Sequence, residues 1–98
     1  MLRPPFYQGK LCDSNLSYEY TPRELLDWNL KKVGDELKKV GVRIDIHTEF
    51  VLVLQISGVA ISIYPSGKIL IKNVNVERDA QTIFLDVLHA LNQCPSAR

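Results

Sequence analysis

Phe50-Val51-Leu52-Val53-Leu54-Gln55-Ile56 is apolar at nearly every position, and two further apolar runs follow it, each set off by a short glycine turn. Ser57-Gly58 leads into Ala60-Ile61-Ser62-Ile63-Tyr64, and Pro65-Ser66-Gly67 leads into Lys68-Ile69-Leu70-Ile71-Lys72. Turns this short join antiparallel strands, because a parallel return needs a crossover of about a dozen residues or more. An antiparallel meander is therefore the centre of the fold. The first run, apolar throughout, suggests a strand covered on both faces.

The flanking segments add elements around this meander. Val42, Ile44 and Ile46 alternate with Arg43, Asp45 and His47, a further strand with one apolar and one charged face. Leu16, Tyr18 and Tyr20 alternate with Asn15, Ser17 and Glu19 in a short half-buried strand. Thr21-Pro22-Arg23-Glu24 combines a capping hydroxyl, a proline suited to the first helical position and a carboxylate that can reach back to the cap amide. A helix is predicted from there, with Leu26, Leu30, Val33, Leu37 and Val40 on one stripe and Gly41 at its end.

A second helix is predicted from about Asn75 or Val76. Glu77 and Asp79 favour its dipole, Ala80, Ile83, Phe84, Val87, Leu88 and Leu91 form its buried stripe, and Pro95 prevents continuation. The order is strand, helix, four strands, helix. This predicts an α+β domain, an antiparallel, curved five-stranded sheet with both helices on one face. Residues 1–14, with Pro4, Pro5 and Gly9, read as an extended arm, residues 15–94 as the single domain and residues 95–98 as a tail.

A chain of 98 residues supports one core and buries about 65% of its surface on folding, enough without staples. A formal net charge of +1 excludes a global field that would gather phosphates or an anionic membrane. Cys12 and Cys94 lie near opposite ends without partners at ligand spacing, so they read as free thiols of a reducing cytoplasm. No apolar window has the length of a membrane span or a signal peptide, so a soluble protein without a membrane partner is expected.

Two helices cover one face of such a sheet and leave the other open. With Tyr18, Ile44, Val53, Ile61 and Ile69 taken inward, alternation assigns the open face. It collects Asn15, Ser17, Glu19, Arg43, Asp45, His47, Phe50, Leu52, Leu54, Ala60, Ser62, Tyr64, Lys68, Leu70 and Lys72. Phe50, Leu52, Leu54, Tyr64 and Leu70 would expose several hundred Å² between them, the size of an interaction surface, unless the arm covers them. Arg43, Lys68 and Lys72 against Glu19 and Asp45 leave that face about +1, fewer cations than a duplex binder offers.

No constellation calls for an enzyme, a metal, a cofactor or a small-molecule substrate. His89 falls opposite the buried stripe of the last helix, and His47 beside Asp45 reads more simply as an exposed strand histidine than as an acid-base pair. Neither cysteine has a base or electropositive surroundings that would make it a nucleophile. Trp28 lies off the helical stripe and reads as covered by Pro4, Pro5, Phe6 and Tyr7.

The stretch Ile61-Ser62-Ile63-Tyr64-Pro65-Ser66-Gly67-Lys68-Ile69-Leu70-Ile71 resembles the TATA-box-binding protein family, in which an apolar strand ending in Phe meets a Ser-Gly-Lys turn and a second apolar strand. Weaker similarity runs over residues 15–92 and covers one of that family's two repeats, as in small single-repeat archaeal proteins of unsettled role. The resemblance implies a half-saddle. It implies that Phe50 and Tyr64 occupy the positions of the base-step wedges, and that Asn15, Ser17, Leu70 and Lys72 occupy groove-contact positions. Two functions therefore stay open: a weak nucleic-acid-binding module, transcription-related, or a protein-interaction module. The latter's commonest occupant is a second copy docking on Phe50, Leu52, Leu54 and Leu70.

Overall fold

The meander forms, and the elements around it build an open antiparallel sheet of six strands. In chain order they are β1 (Tyr7–Cys12), β2 (Ser17–Pro22), α1 (Leu30–Lys39), β3 (Arg43–His47), β4 (Leu52–Ile56), β5 (Val59–Ile63), β6 (Ile69–Ile71) and α2 (Glu77–Leu91), preceded by a short turn of 3-10 helix at Pro4–Phe6. A computed structural model describes residues 2–12, 17–72 and 77–97, with the backbone alone for Leu11, Cys12 and Glu77. The strand order across the sheet is β1-β2-β6-β5-β4-β3, so β1 and β3 are its edges. Ser57 and Gly58, both at positive φ, make the two-residue loop between Ile56 and its partner Val59.

The helix side is lined by Leu52, Leu54, Ile61, Ile63, Ile69 and Ile71, all fully buried and paired across neighbouring strands. Both helices pack there and touch each other. Leu30, Val33 and Leu37 of α1 are buried, as are Ala80, Ile83, Phe84, Val87, Leu88 and Leu91 of α2, which is the predicted stripe.

Four expectations are corrected. First, β4 is turned over: Leu52 and Leu54 lie under the helices and Val53 lies on the other face, half-buried. A run apolar on both faces has no period-2 signal of its own, and a shift of one residue exchanges its faces. Secondly, the sheet has six strands rather than five, because Tyr7–Cys12 in the stretch read as an arm pairs residue for residue with β2. Tyr7 meets the ring of Phe84 edge-on at 5.2 Å, and Tyr20 stacks on Phe84 at 3.9 Å.

Thirdly, α1 begins eight or nine residues later than the capping signal at Thr21-Pro22 indicated, by the difference from 30. Thr21 and Pro22 are held in β2 opposite Gln8 and Tyr7, so strand pairing overrides the local signal. Asn29 caps the helix instead, its side chain accepting from Lys32 N at 3.3 Å, and Leu25 is left fully exposed. The helix ends as expected at Gly41, which takes positive φ while Val42 N donates back to Leu37 O at 3.1 Å. Val40 is 39% exposed rather than part of the buried stripe.

Fourthly, His47 is not on the open face. A register shift between Ile44 and Ile46 places it opposite Leu52, turned toward α1, where its Nε2 lies 3.0 Å from Lys31 O. The helix can come this close because residue 34 is glycine; a Cβ there would overlap the imidazole.

The chain ends are tied to the helices. The Asn92 amide brackets Leu2 as a strand neighbour would, accepting from Leu2 N at 2.6 Å and donating to Leu2 O at 2.9 Å. The Glu36 carboxylate accepts from Ser96 N at 2.9 Å and from Ser96 Oγ at 2.8 Å. Between these clamps Cys94 is 1% exposed and its thiol donates to Ala90 O at 3.4 Å. Burial, with the Glu36 charge added, pushes this thiol up to about 11.

Three outcomes follow. Gly34→Ala should cost about 1–3 kcal/mol by overpacking in urea unfolding, yet become neutral or slightly stabilising in a His47→Ala background; equal costs in both would contradict the contact. The raised thiol favours the protonated form in the folded state, so stability is fully present below the ordinary thiol value and declines as pH rises between about 9 and 11. In a Cys12→Ser background, Cys94 should resist iodoacetamide at neutral pH until urea unfolds the chain.

Candidate binding face

The face opposite the helices carries one row of side chains across the whole sheet. Successive cross-strand partners are Lys10, Glu19, Leu70, Ser62, Val53 and Ile46, from β1 to β3. Ser62 at the centre is buried, Leu70 and Val53 are half-buried, and Ile46 is 47% exposed. The centre is apolar and low, with small Ala60 and Ser62 where a second layer could approach.

Charge gathers toward the β1 side. The Glu19 carboxylate lies 3.7 Å from Lys10 Nζ and 3.6 Å from Lys68 Nζ, and Lys68 also sits 4.6 Å above the centre of the Tyr64 ring. One acid thus holds two cations, one of which is already committed to an aromatic face. At the β3 edge Arg43 Nε donates to Asp45 Oδ1 at 3.1 Å. Lys72, just beyond β6, is exposed and pairs with no described residue.

These placements sort the residues singled out from the sequence. Tyr64, Lys68 and Leu70 come together on the open face, with Lys72 beside them. Ser17 is buried in β2, and Asn15 lies outside the described residues. Leu52 and Leu54 are core residues, so the expected dimer interface of Phe50, Leu52, Leu54 and Leu70 does not form as a unit. Phe50 is 72% exposed, but it belongs to the Thr48–Val51 turn rather than to a strand. The Thr48 hydroxyl accepts from Phe50 N and Val51 N and donates to Val51 O, which fixes that turn. Phe50 opens onto a shallow cleft of about 440 Å³ beside Trp28, Asn29 and Pro65, away from the open face.

Trp28 itself is buried, its backbone N donating to Pro65 O at 2.8 Å and its indole N–H without a partner. Val53 and Ile46 are the face residues that sequence reading missed. Val53 was assigned inward because its run is apolar on both faces, and Ile46 because the irregularity in β3 breaks simple alternation. Alternation of Tyr7, Gly9 and Leu11 with Gln8 and Lys10 was a readable signal for β1.

Among the described residues, no cluster of His, Cys, Asp or Glu could hold a metal ion, and no helix is long and apolar enough to cross a membrane. Comparison with protein families, with characterised proteins and with solved structures finds no match to this chain.

The turned-over strand gives a direct check. Leu54→Ala should cost about 2–5 kcal/mol of unfolding free energy, whereas Val53→Ala should cost at most about 1 kcal/mol. A larger loss at Val53 than at Leu54 in denaturant titrations would reverse the faces.

Proposed function

We propose that this chain is a small non-enzymatic binding module whose open sheet face packs against the same face of a second copy. The observation that carries this reading is the line Leu70, Ser62, Val53 and Ile46, three apolar side chains and one serine, running across four strands on the face opposite both helices. Two sheets packed face to face bury such rows about 10 Å apart, and low residues at the centre suit that spacing. A two-fold axis sets each patch on itself, so no second complementary surface is needed. His47 supports the non-enzymatic reading, because its Nε2 lies against the Lys31 carbonyl.

Nucleic-acid binding is the second reading. From Ser17 to Leu91 the elements run strand, helix, four strands, helix, the order implied by the resemblance to the TATA-box-binding family. Electrostatics weigh against it: Glu19 holds Lys10 and Lys68, which leaves Lys72 as the free cation beside Leu70 among the described residues. Phe50 also stands off the face on which the wedge position would require it.

Sedimentation equilibrium at roughly 10–100 μM should show a dimer that Val53→Asp or Leu70→Asp converts to monomer. A wild-type monomer over that range would overturn the reading. Titration with labelled duplex, single-stranded DNA and RNA at low salt should give weak binding, with a salt slope of about one or two phosphates per chain. A steeper slope, abolished by Lys68→Ala and Lys72→Ala, would establish the second reading instead.

A further inference from the structure

We propose that the outer edge of β1, together with the cleft between β1 and α2, is a strand-addition site. Its ligand is an extended segment of another protein that carries a bulky apolar side chain between acidic neighbours. This site lies at the sheet edge and does not rest on the dimer reading above.

The two edges of the sheet differ. β3 carries a register irregularity and an Arg43–Asp45 ion pair, features that discourage pairing with another strand. β1 has an unbroken six-residue ladder with β2, so its outer side presents a regular row of backbone donors and acceptors. Of that row the Tyr7 N–H already donates to Pro4 O, so among the described residues the free stretch runs from the Tyr7 carbonyl through Gly9. Its one charged side chain, Lys10, leans back over the sheet toward Glu19.

Directly behind this edge, on the helix side, is a cleft of about 350 Å³. Tyr7 and Gly9, alternate residues of β1, form one wall and Gln81, Phe84 and Leu85 of α2 form the other. The missing side chain at Gly9 is structurally required, because a Cβ there would fall 2.7 Å from the Tyr20 ring. Leu85 at the rim is 51% exposed. The Tyr7 hydroxyl, on a side chain that is 4% exposed, has no hydrogen-bond partner, and burial holds it protonated. Backbone groups along an edge with a side-chain pocket set at alternate residues is the combination that reads an extended peptide. The peptide residue opposite Gly9 enters the cleft.

The occupant is not a second β1. A two-fold pairing that keeps both helix layers on one side allows few registers. Gly9 opposite Gly9 of the other copy leaves the cleft empty, and Lys10 opposite Lys10 sets like charges together. Gln8 opposite Gln8 brings a tyrosine already stacked edge-on against its own Phe84. The rim instead favours a foreign acidic segment. Arg78 stands one turn before Gln81 on the cleft side of α2, and Arg3 precedes the wall residue Pro4. Of the acids of α2, Asp79 and Asp86 fall on the far side and Glu77 alone shares the cleft side, so Arg3 and Arg78 leave the rim net positive.

The test is to pan a random peptide display library on the intact chain, then measure the labelled selected peptide by fluorescence anisotropy and amide chemical shifts. The enriched sequences should share a bulky apolar residue flanked by Asp or Glu, and the largest shifts should fall on β1 amides. Leu85→Glu, on an exposed side chain, should weaken binding about tenfold or more with the thermal melt unchanged. Arg78→Glu should reduce the preference for acidic flanks. Val53→Asp should leave this binding intact, even where it breaks the dimer. Shifts confined to the open face, a motif without an apolar residue, or full binding by Leu85→Glu would each overturn the proposal, as would a dimer whose β1 amides are protected at the two-fold.

Discussion

Leu52, Leu54, Ile61, Ile63, Ile69 and Ile71 meet row against row beneath two helices, and none keeps any contact with water. Full burial of an aliphatic side chain of this size stabilises by roughly 1.5–3 kcal/mol. Strand periodicity makes the choice of face collective, because turning one strand over would expose its whole inward set at once. The rest of the molecule follows from that choice. The helices cover the leucine and isoleucine side, and the side left to solvent is the lower one bearing Val53, Ser62 and Leu70.

The same constraint reaches the helices through His47. Opposite Leu52 it must face α1, and it fits because Gly34 clears space and the Lys31 carbonyl meets its ring nitrogen. The N-terminal segment is likewise recruited by packing. Tyr7 and Tyr20 close around Phe84, and the Asn92 amide holds Leu2, so the beginning of the chain is bound to the end of α2. This segment becomes the outermost strand because aromatic surface on α2 is there to be covered.

The open face and the two sheet edges differ in chemistry. On the face, one carboxylate between two lysines lowers the field available to phosphates. At the β1 edge, a regular strand borders a cleft against α2, with the Tyr20 ring lying over Gly9. The β3 edge, irregular and charged, offers neither.

The α+β class, the meander, its turns and the stripe of α2 were legible in the chain because each depends on local chemistry: alternation, glycine turns and a 3.6-residue apolar period. Three features were decided only by tertiary structure. The face of β4 was hard to read because Gln55 is the single polar residue of its run, too weak a period-2 signal by itself, so its partners and the helices decide the face. The start of α1 was misread because Thr21 and Pro22 satisfy a helix cap locally but satisfy β1 better, and pairing to a distant strand is invisible in a local window. The strand in residues 7–12 is the third. Its glycine and neighbouring prolines look like loop chemistry until the Tyr20 ring occupies the space that a side chain at position 9 would have filled.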